Sequence, residues 1–242
     1  MTQLVAVAHQ SAAVGSRAAA LWVVIPAFNE VEVLAGVVAD LLARQACTVV
    51  VVDDCSTDGT GSAACAAGAT LLRHAINLGQ GAALQTGIRY ALAGGASLIA
   101  TFDADGQHRS EDIAALLEMQ RSSAADVVLG SRFLGKAEGL PAARKWLLKA
   151  AVFFTWLTAG VRLSDAHNGL RLLTRAAAAR VCIRQNRMAH ASELISQFRS
   201  LGLCFVEVPV TVRYTAYSLR KGQRLSGALV IVAELIVGRL SR

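Results

Sequence analysis

No apolar stretch in this 242-residue chain reaches the roughly 18 residues that a bilayer-spanning helix needs. Any membrane contact is therefore expected to be peripheral or through a small membrane partner protein. Hydrophobic residues still make up 54% of the chain, but much of this is alanine, which favours helix and adds little apolar area. Aromatic residues are scarce at 5%, and no nucleic-acid recognition motif appears, so nucleic acid is not expected as a partner. The five cysteines (Cys47, Cys55, Cys65, Cys182 and Cys204) are odd in number and lack Cys-x-x-Cys spacing. That excludes a disulfide framework and a zinc site and fits a reducing cytoplasm. Four of them sit in apolar or alanine-rich surroundings and read as buried spectators. No Gly-x-Gly-x-x-Gly follows the first apolar run, and no Gly-Lys-Ser/Thr loop is present. Dinucleotide oxidoreductases and P-loop NTPases are thereby set aside.

What is present begins with charge. The formal net charge of +7 suggests an anionic partner such as phosphates or acidic lipid. The length predicts one α/β domain with appendages. Residues 1–19, rich in Ala, Val and Ser, have no basic start before an apolar core and read as a flexible extension rather than a signal peptide.

Short continuous apolar runs at 21–26, 48–52, 69–73, 97–102 and 126–129 alternate with helical patterns. Val33, Leu34, Val37, Val38, Leu41 and Leu42 form one such stripe, and Ser110 is placed to cap the helix after the fourth run. Continuous rather than alternating strands predict a mainly parallel sheet with helices on both faces, and ligands then bind beyond the strands' carboxyl ends. Three of the runs end in polar motifs: Pro26 to Glu30, Asp53 to Thr60 and Asp103 to His108. In the third, Asp103 and Asp105 are two apart on an extended chain and point the same way. They can converge on one hard cation whose shell phosphate oxygens complete. The same letters also describe an Asp-Gly turn with solvated acids, so the pair gains weight only from its company. The second half is less regular. It shows an aromatic-bearing amphipathic helix at 145–163, a turn and strand at 165–173, and a helix at 188–201. A strand follows at 205–214, edge-type because of Pro209, then a basic loop at 214–224 and an apolar helix at 226–240.

Four motifs in order, Pro26-Ala-Phe-Asn-Glu30, Asp53-Asp-x-Ser-x-Asp-Gly-Thr60, Asn77-x-Gly-x-Gly-x-Ala and Asp103-Ala-Asp-Gly-Gln-His108, closely resemble the inverting family 2 glycosyltransferases of the GT-A fold. The likeness is to the dolichyl-phosphate mannose synthase and bacterial polyprenyl-phosphate glycosyltransferase group, strong over 21–132 and weaker beyond. It implies a GT-A domain over 20–223, a nucleotide-sugar donor, a polyprenyl or dolichyl phosphate acceptor, Mg2+ or Mn2+, and work at the cytoplasmic face of the membrane. Residue by residue, it implies nucleotide-sugar contacts at Pro26, Ala27, Glu30, Asp53, Asp54, Asp103, Ala104, Asp105 and Gln107, with the metal on Asp103 and Asp105. Asp165 is nominated as the base. Arg132, Arg171, Arg213, Arg220 and Lys221 are nominated to hold the acceptor phosphate, with Arg144 a further basic neighbour. Taken singly, each arginine reads as an ordinary surface charge. His167 and His190 read more simply as hydrogen-bonded structural histidines than as ligands.

Two departures stand out. The basic loop after Glu207-Val-Pro-Val210 is longer than in the family and carries Tyr214 and Tyr217. No C-terminal membrane span follows, so the helix in 224–242 is read as lying in the membrane interface, packing on its own domain or forming an oligomer contact. The alternatives kept open are transfer to a saccharide or other hydroxyl in cell-envelope glycan synthesis, and a nucleotide-sugar-binding protein without catalysis. Intact Asp103, Asp105 and Glu30 argue against the second.

Overall fold

The computed structural model describes residues 20–187 and 189–221. The expected extension at 1–19, the helix at 226–240 and Met188 lie outside them. Seven strands form one sheet: β1 (Leu21–Ala27), β2 (Cys47–Asp53), β3 (Thr70–Arg73), β4 (Leu98–Thr101), β5 (Val127–Glu138), β6 (Arg171–Thr174) and β7 (Phe205–Arg213). Their order is β3-β2-β1-β4-β6-β5-β7. Only β6 runs antiparallel to its neighbours; the other pairs are parallel. The expected mainly parallel α/β architecture is therefore present, and Pro209 does lie on an edge strand, where its missing N–H costs no ladder bond.

Helices cover both faces. Val23 and Ile25 of β1 point to one face, against Leu34, Val38 and Leu41 of α1 (Val31–Arg44), Ala64 of α2 (Thr60–Ala66), and Ile113 and Leu116 of α4 (Asp112–Ser123). Val24 points to the other, against Leu84 and Ile88 of α3 (Gln80–Ala93) and the core of Ile99, Leu173, Leu194 and Phe198. This period-two split of one wholly apolar strand is what makes it read as a continuous run in sequence.

Several local expectations are corrected. Ser110 does not cap α4; its hydroxyl donates to the Asp40 carboxylate on α1, and the helix starts at Asp112 with no side-chain cap bond. The fifth strand does not end at Leu129 but continues to Glu138, with its pairing to β7 shifting register between Ser131 and Lys136. The shift breaks the apolar pattern, so sequence periodicity cannot follow it. A short α6 (Arg175–Arg180), capped by Thr174 accepting from the Ala177 N–H, was not expected, and the basic loop contains α8 (Ala216–Lys221). The long aromatic helix is α5 (Ala142–Ala159), and α7 spans His190–Ser200. All five cysteines are unpaired, but Cys65 and Cys204 are exposed rather than buried. Burial pushes the Cys47 thiol up to about 11, so it is inert.

Candidate active site

The carboxyl ends of β1, β2 and β4 open into one cleft of about 820 Å³, within the roughly 300–1,000 Å³ usual for small-molecule sites. Its first wall is the Pro26–Glu30 turn. Asn29 takes a left-handed conformation (φ 54°) there, and the second motif holds it. The Asn29 N–H donates to Ser56 Oγ (2.9 Å), the Thr57 N–H to Asn29 Oδ1 (2.9 Å) and the Glu30 N–H to Thr60 Oγ1 (2.8 Å). Asp58 accepts in turn from Thr60 Oγ1 (2.5 Å) and from the Val31 N–H (3.3 Å). Most of the Asp53-to-Thr60 motif is thus a brace for the first motif.

The two acids at the end of β2 differ. Asp53 is fully buried behind the wall, outside the cleft lining, with Oδ1 accepting from the Ser56 N–H at 2.8 Å and Oδ2 lying 3.7 Å from Arg73 Nε. Asp54 lines the cleft, yet its carboxylate is already bonded to His74 Nδ1 (2.7 Å) and to the Leu78 (2.9 Å) and Gly79 (2.6 Å) N–H groups. It fixes the glycine loop that opens α3. That loop needs its glycines for close approach. A Cβ on Gly81 would sit 2.0 Å from the Gln185 carbonyl, and one on Gly79 would sit 2.4 Å from that of Asn186. The Gly81 N–H donates to the Asn186 carbonyl at 2.8 Å, so residues 185–187 and the α7 start behind them are pinned over α3. Gly81→Val is expected to expel this segment and to lower thermal stability by about 2–4 kcal/mol. Denaturant unfolding checks it, and a wild-type midpoint would contradict the packing.

The floor is built from Asp103 to His108. Asp103 Oδ1 accepts from Gln80 Nε2 (3.1 Å), and Oδ2 pairs with His108 Nε2 (3.0 Å). Gly169 lies against this carboxylate, since a Cβ there would be 2.0 Å from Oδ2. Burial raises the Asp103 carboxyl, but the hydrogen bond with His108 and the charges of His108 and Arg171 outweigh it and leave it below its usual range. Burial, then the charge of Asp103, push Asp105 up to about 6. Two carboxylates that repel each other in a cleft form a site that a cation relieves. Among the described residues no group of three or more His, Cys, Asp or Glu is arranged to hold a metal by itself. A cation here therefore needs oxygen ligands from a bound diphosphate, and the all-oxygen donor set suits a hard divalent ion.

Arg132 and Arg171 also line the cleft. Arg132 Nε donates to Asp165 Oδ2 (2.6 Å), Nη1 to Tyr214 Oη (2.5 Å) and Nη2 to the His167 carbonyl (3.1 Å). Asp165 is buried and does not line the cleft. It also accepts from the Arg132 and His167 N–H groups, and its own N–H donates to Glu207. Glu207 further binds the Ser164 N–H (2.9 and 3.0 Å) and hydroxyl (2.6 Å), which gives the Glu-Val-Pro-Val motif a clamping task. Glu30 faces the cleft between α8 residues, 2.6 Å from Tyr217 Oη and 2.9 Å from Lys221 Nζ. Of the expected site residues, Pro26, Ala27, Glu30, Asp54, Asp103, Ala104, Asp105, Gln107, Arg132, Arg171 and Lys221 line the cleft. Arg213 instead pairs with Glu138 at 3.1 Å, and Arg220 lies outside, against Tyr217. Sequence reasoning gave no role to Gln80 and His108, although both sit in or beside the quoted motifs. It also missed the apolar flank that α5 adds through Leu147, Leu148, Phe153 and Leu157.

A mostly parallel seven-stranded sheet with a carboxylate-floored cleft at its strand ends is the arrangement of GT-A glycosyltransferases. Residues 22–182 match glycosyl transferase family 2, and the chain belongs to that family and is a glycosyltransferase. It is 27% identical over 243 residues to the UDP-N-acetylglucosamine–dolichyl-phosphate N-acetylglucosaminyltransferase of Methanococcus voltae, covering 92% of this chain and 97% of that one. It is 33% identical over 202 residues to the undecaprenyl-phosphate mannosyltransferase of Micrococcus luteus, covering 78% and 81%. The Mycobacterium tuberculosis glucosyl-3-phosphoglycerate synthase, solved with Mn2+ and uridine diphosphate, superposes with a TM-score of 0.69 at 18% identity, covering 92% of this chain and 79% of that one.

Proposed function

We propose that the cleft takes a nucleotide-diphosphate sugar at its carboxylates and transfers the sugar, with inversion, to a polyprenyl phosphate that enters along α5. The observation that carries this is the mixed lining of a single cleft. Asp103, Asp105 and Glu30 share it with Leu147, Leu148, Phe153 and Leu157 of α5. A soluble sugar acceptor has no use for that apolar flank, whereas a polyprenyl chain does. The relatives named above, which use dolichyl phosphate and undecaprenyl phosphate by name, support the same acceptor class.

Pro26, Ala27 and Glu30 are assigned to the base and ribose, and Asp53 and Asp54 to holding that wall in shape. Asp103 and Asp105 would hold Mg2+ or Mn2+ together with the donor's diphosphate. Bound there, the ion supplies charge neutralisation for the leaving group. A lipid phosphate is already an anionic nucleophile and needs orientation and positive charge more than a strong base. Arg132, held rigid by Asp165, and Arg144 at the start of α5 supply that charge. Asp165 then acts as a positioning residue.

Along α5, Trp146 (73%) and the cleft-lining Phe153 (59%) and Leu157 (68%) are exposed, Arg144, Lys145 and Lys149 belong to the same helix, and it carries no acidic residue. No helix among the described residues is long and apolar enough to cross a membrane. Peripheral contact with an anionic membrane surface, on the cytoplasmic side, fits α5. The test is a panel of nucleotide sugars offered with polyprenyl phosphate and Mn2+, read by mass spectrometry. One donor is expected to yield a lipid-linked sugar phosphate, and no lipid product from any donor would overturn the reading.

A further inference from the structure

The carboxylates are not the cleft's only buried polar groups. Arg171 and His190 both line it, and they are only 2% and 3% exposed. Arg171 Nη1 is buried without a hydrogen-bond partner. His190 Nδ1 lies 2.8 Å from the Arg187 carbonyl, and a carbonyl can only accept, so Nδ1 carries the proton and Nε2 presents a lone pair. Among the described residues Nε2 has no hydrogen-bond partner. Burial, aided by the Arg171 charge, lowers His190 to about 4, which keeps the ring neutral. A buried donor without a partner and an acceptor open to the cleft thus line the same cavity. An unmatched buried donor such as Arg171 Nη1 is costly unless a ligand completes it.

The pair discriminates between ligand chemistries. A phosphate satisfies the guanidinium but brings only acceptor oxygens to the Nε2 lone pair. A hydroxyl both accepts and donates, so one hydroxyl, or two neighbouring ones, satisfies Arg171 and His190 together. Resting on the glycosyl-transfer reading above, we infer that Arg171 and His190 form the subsite that reads hydroxyl groups of the transferred sugar, with Arg171 donating and His190 Nε2 accepting. The glycine loop explains how the histidine arrives there. The carbonyl of Asn186 docks on the Gly81 N–H, and a Cβ on Gly81 would be 3.0 Å from that of His190, so the start of α7 is held against α3. Arg171 is thereby moved from the acceptor phosphate to the donor sugar.

The experiment uses the full chain with Mn2+. Binding of UDP and GDP is compared with binding of UDP-glucose, UDP-N-acetylglucosamine and GDP-mannose, first for the wild type to find the preferred sugar, then for His190→Leu, His190→Gln and Arg171→Gln. His190→Leu and Arg171→Gln are each expected to raise the Kd of the preferred nucleotide sugar about tenfold or more while moving that of the free nucleoside diphosphate less than about twofold. His190→Gln restores an acceptor near Nε2 but not the Nδ1 bond, and should recover most of the loss. Equal losses for nucleotide and nucleotide sugar, an unchanged His190→Leu, or a glutamine variant as weak as the leucine one would each overturn the assignment. A wild type that binds no nucleoside diphosphate would instead overturn the donor reading beneath it.

Discussion

Asp105→Asn is expected to lower sugar transfer by at least about 100-fold while making the fold more stable at pH 7. Asparagine keeps the shape of the side chain but removes the charge that a cation would meet. The stability half follows from the raised pKa. Asp105 sits at about 6 in the folded protein against an ordinary value of 3.8, so its ionisation disfavours the folded state. Below pH 4 both folded and unfolded chains hold the proton and no penalty applies. As pH rises toward 6 the unfolded chain loses its proton more readily than the folded one, and stability falls. At pH 7 the penalty is complete, and the asparagine variant escapes it. The measurements are transfer rate at pH 7 with Mn2+ and thermal midpoint at pH 7 without added metal. A variant that keeps full activity, or wild-type activity that survives EDTA, would remove the metal role from this carboxylate pair.

Asp165→Ala is expected to do the opposite in kind, lowering stability and activity together. Its carboxylate faces a buried Arg132 at 2.6 Å. Removing one partner of a buried ion pair leaves an uncompensated charge, typically at a cost of about 3–5 kcal/mol. Replacing both partners, as in Asp165→Ala with Arg132→Met, should recover much of the denaturant midpoint without recovering transfer, since the guanidinium is then absent from the cleft. A base acting on substrate would behave differently, with Asp165→Ala folding normally and failing only in turnover. Unfolding midpoints of the three proteins separate the two roles.

The donor side was legible because its chemistry is local in sequence. Each acid pair or turn follows directly on a buried strand, and a parallel sheet delivers every strand end to the same edge. Even so, the letters did not separate contact from support. Asp53 and Asp54 read alike in sequence, and their hydrogen bonds give the first to the Ser56 turn and the second to the glycine loop. The acceptor side was less legible because it is assembled over long separations. Arg132 meets Asp165 across 33 residues and Tyr214 across 82, and Tyr217 meets Glu30 across 187. No periodicity encodes such pairings. Arg213 and Arg220 were drawn in by composition alone, and the structure gives them to Glu138 and Tyr217. The antiparallel β6 and the register shift in β5 escaped for a related reason. A four-residue apolar strand carries no direction, and a shifted ladder abandons the alternation that marks a strand.

The account stands or falls on the acceptor, and a competition in one tube addresses it. The chain is incubated with its donor labelled in the sugar, Mn2+, polyprenyl phosphate in detergent and an excess of soluble saccharides, and the label is followed after organic extraction. The expected result is label in the organic phase that mild acid releases as free sugar, with little in the soluble glycans. Label appearing in the saccharides, with the lipid phase empty, would contradict a lipid phosphate acceptor and assign the apolar flank of α5 another task.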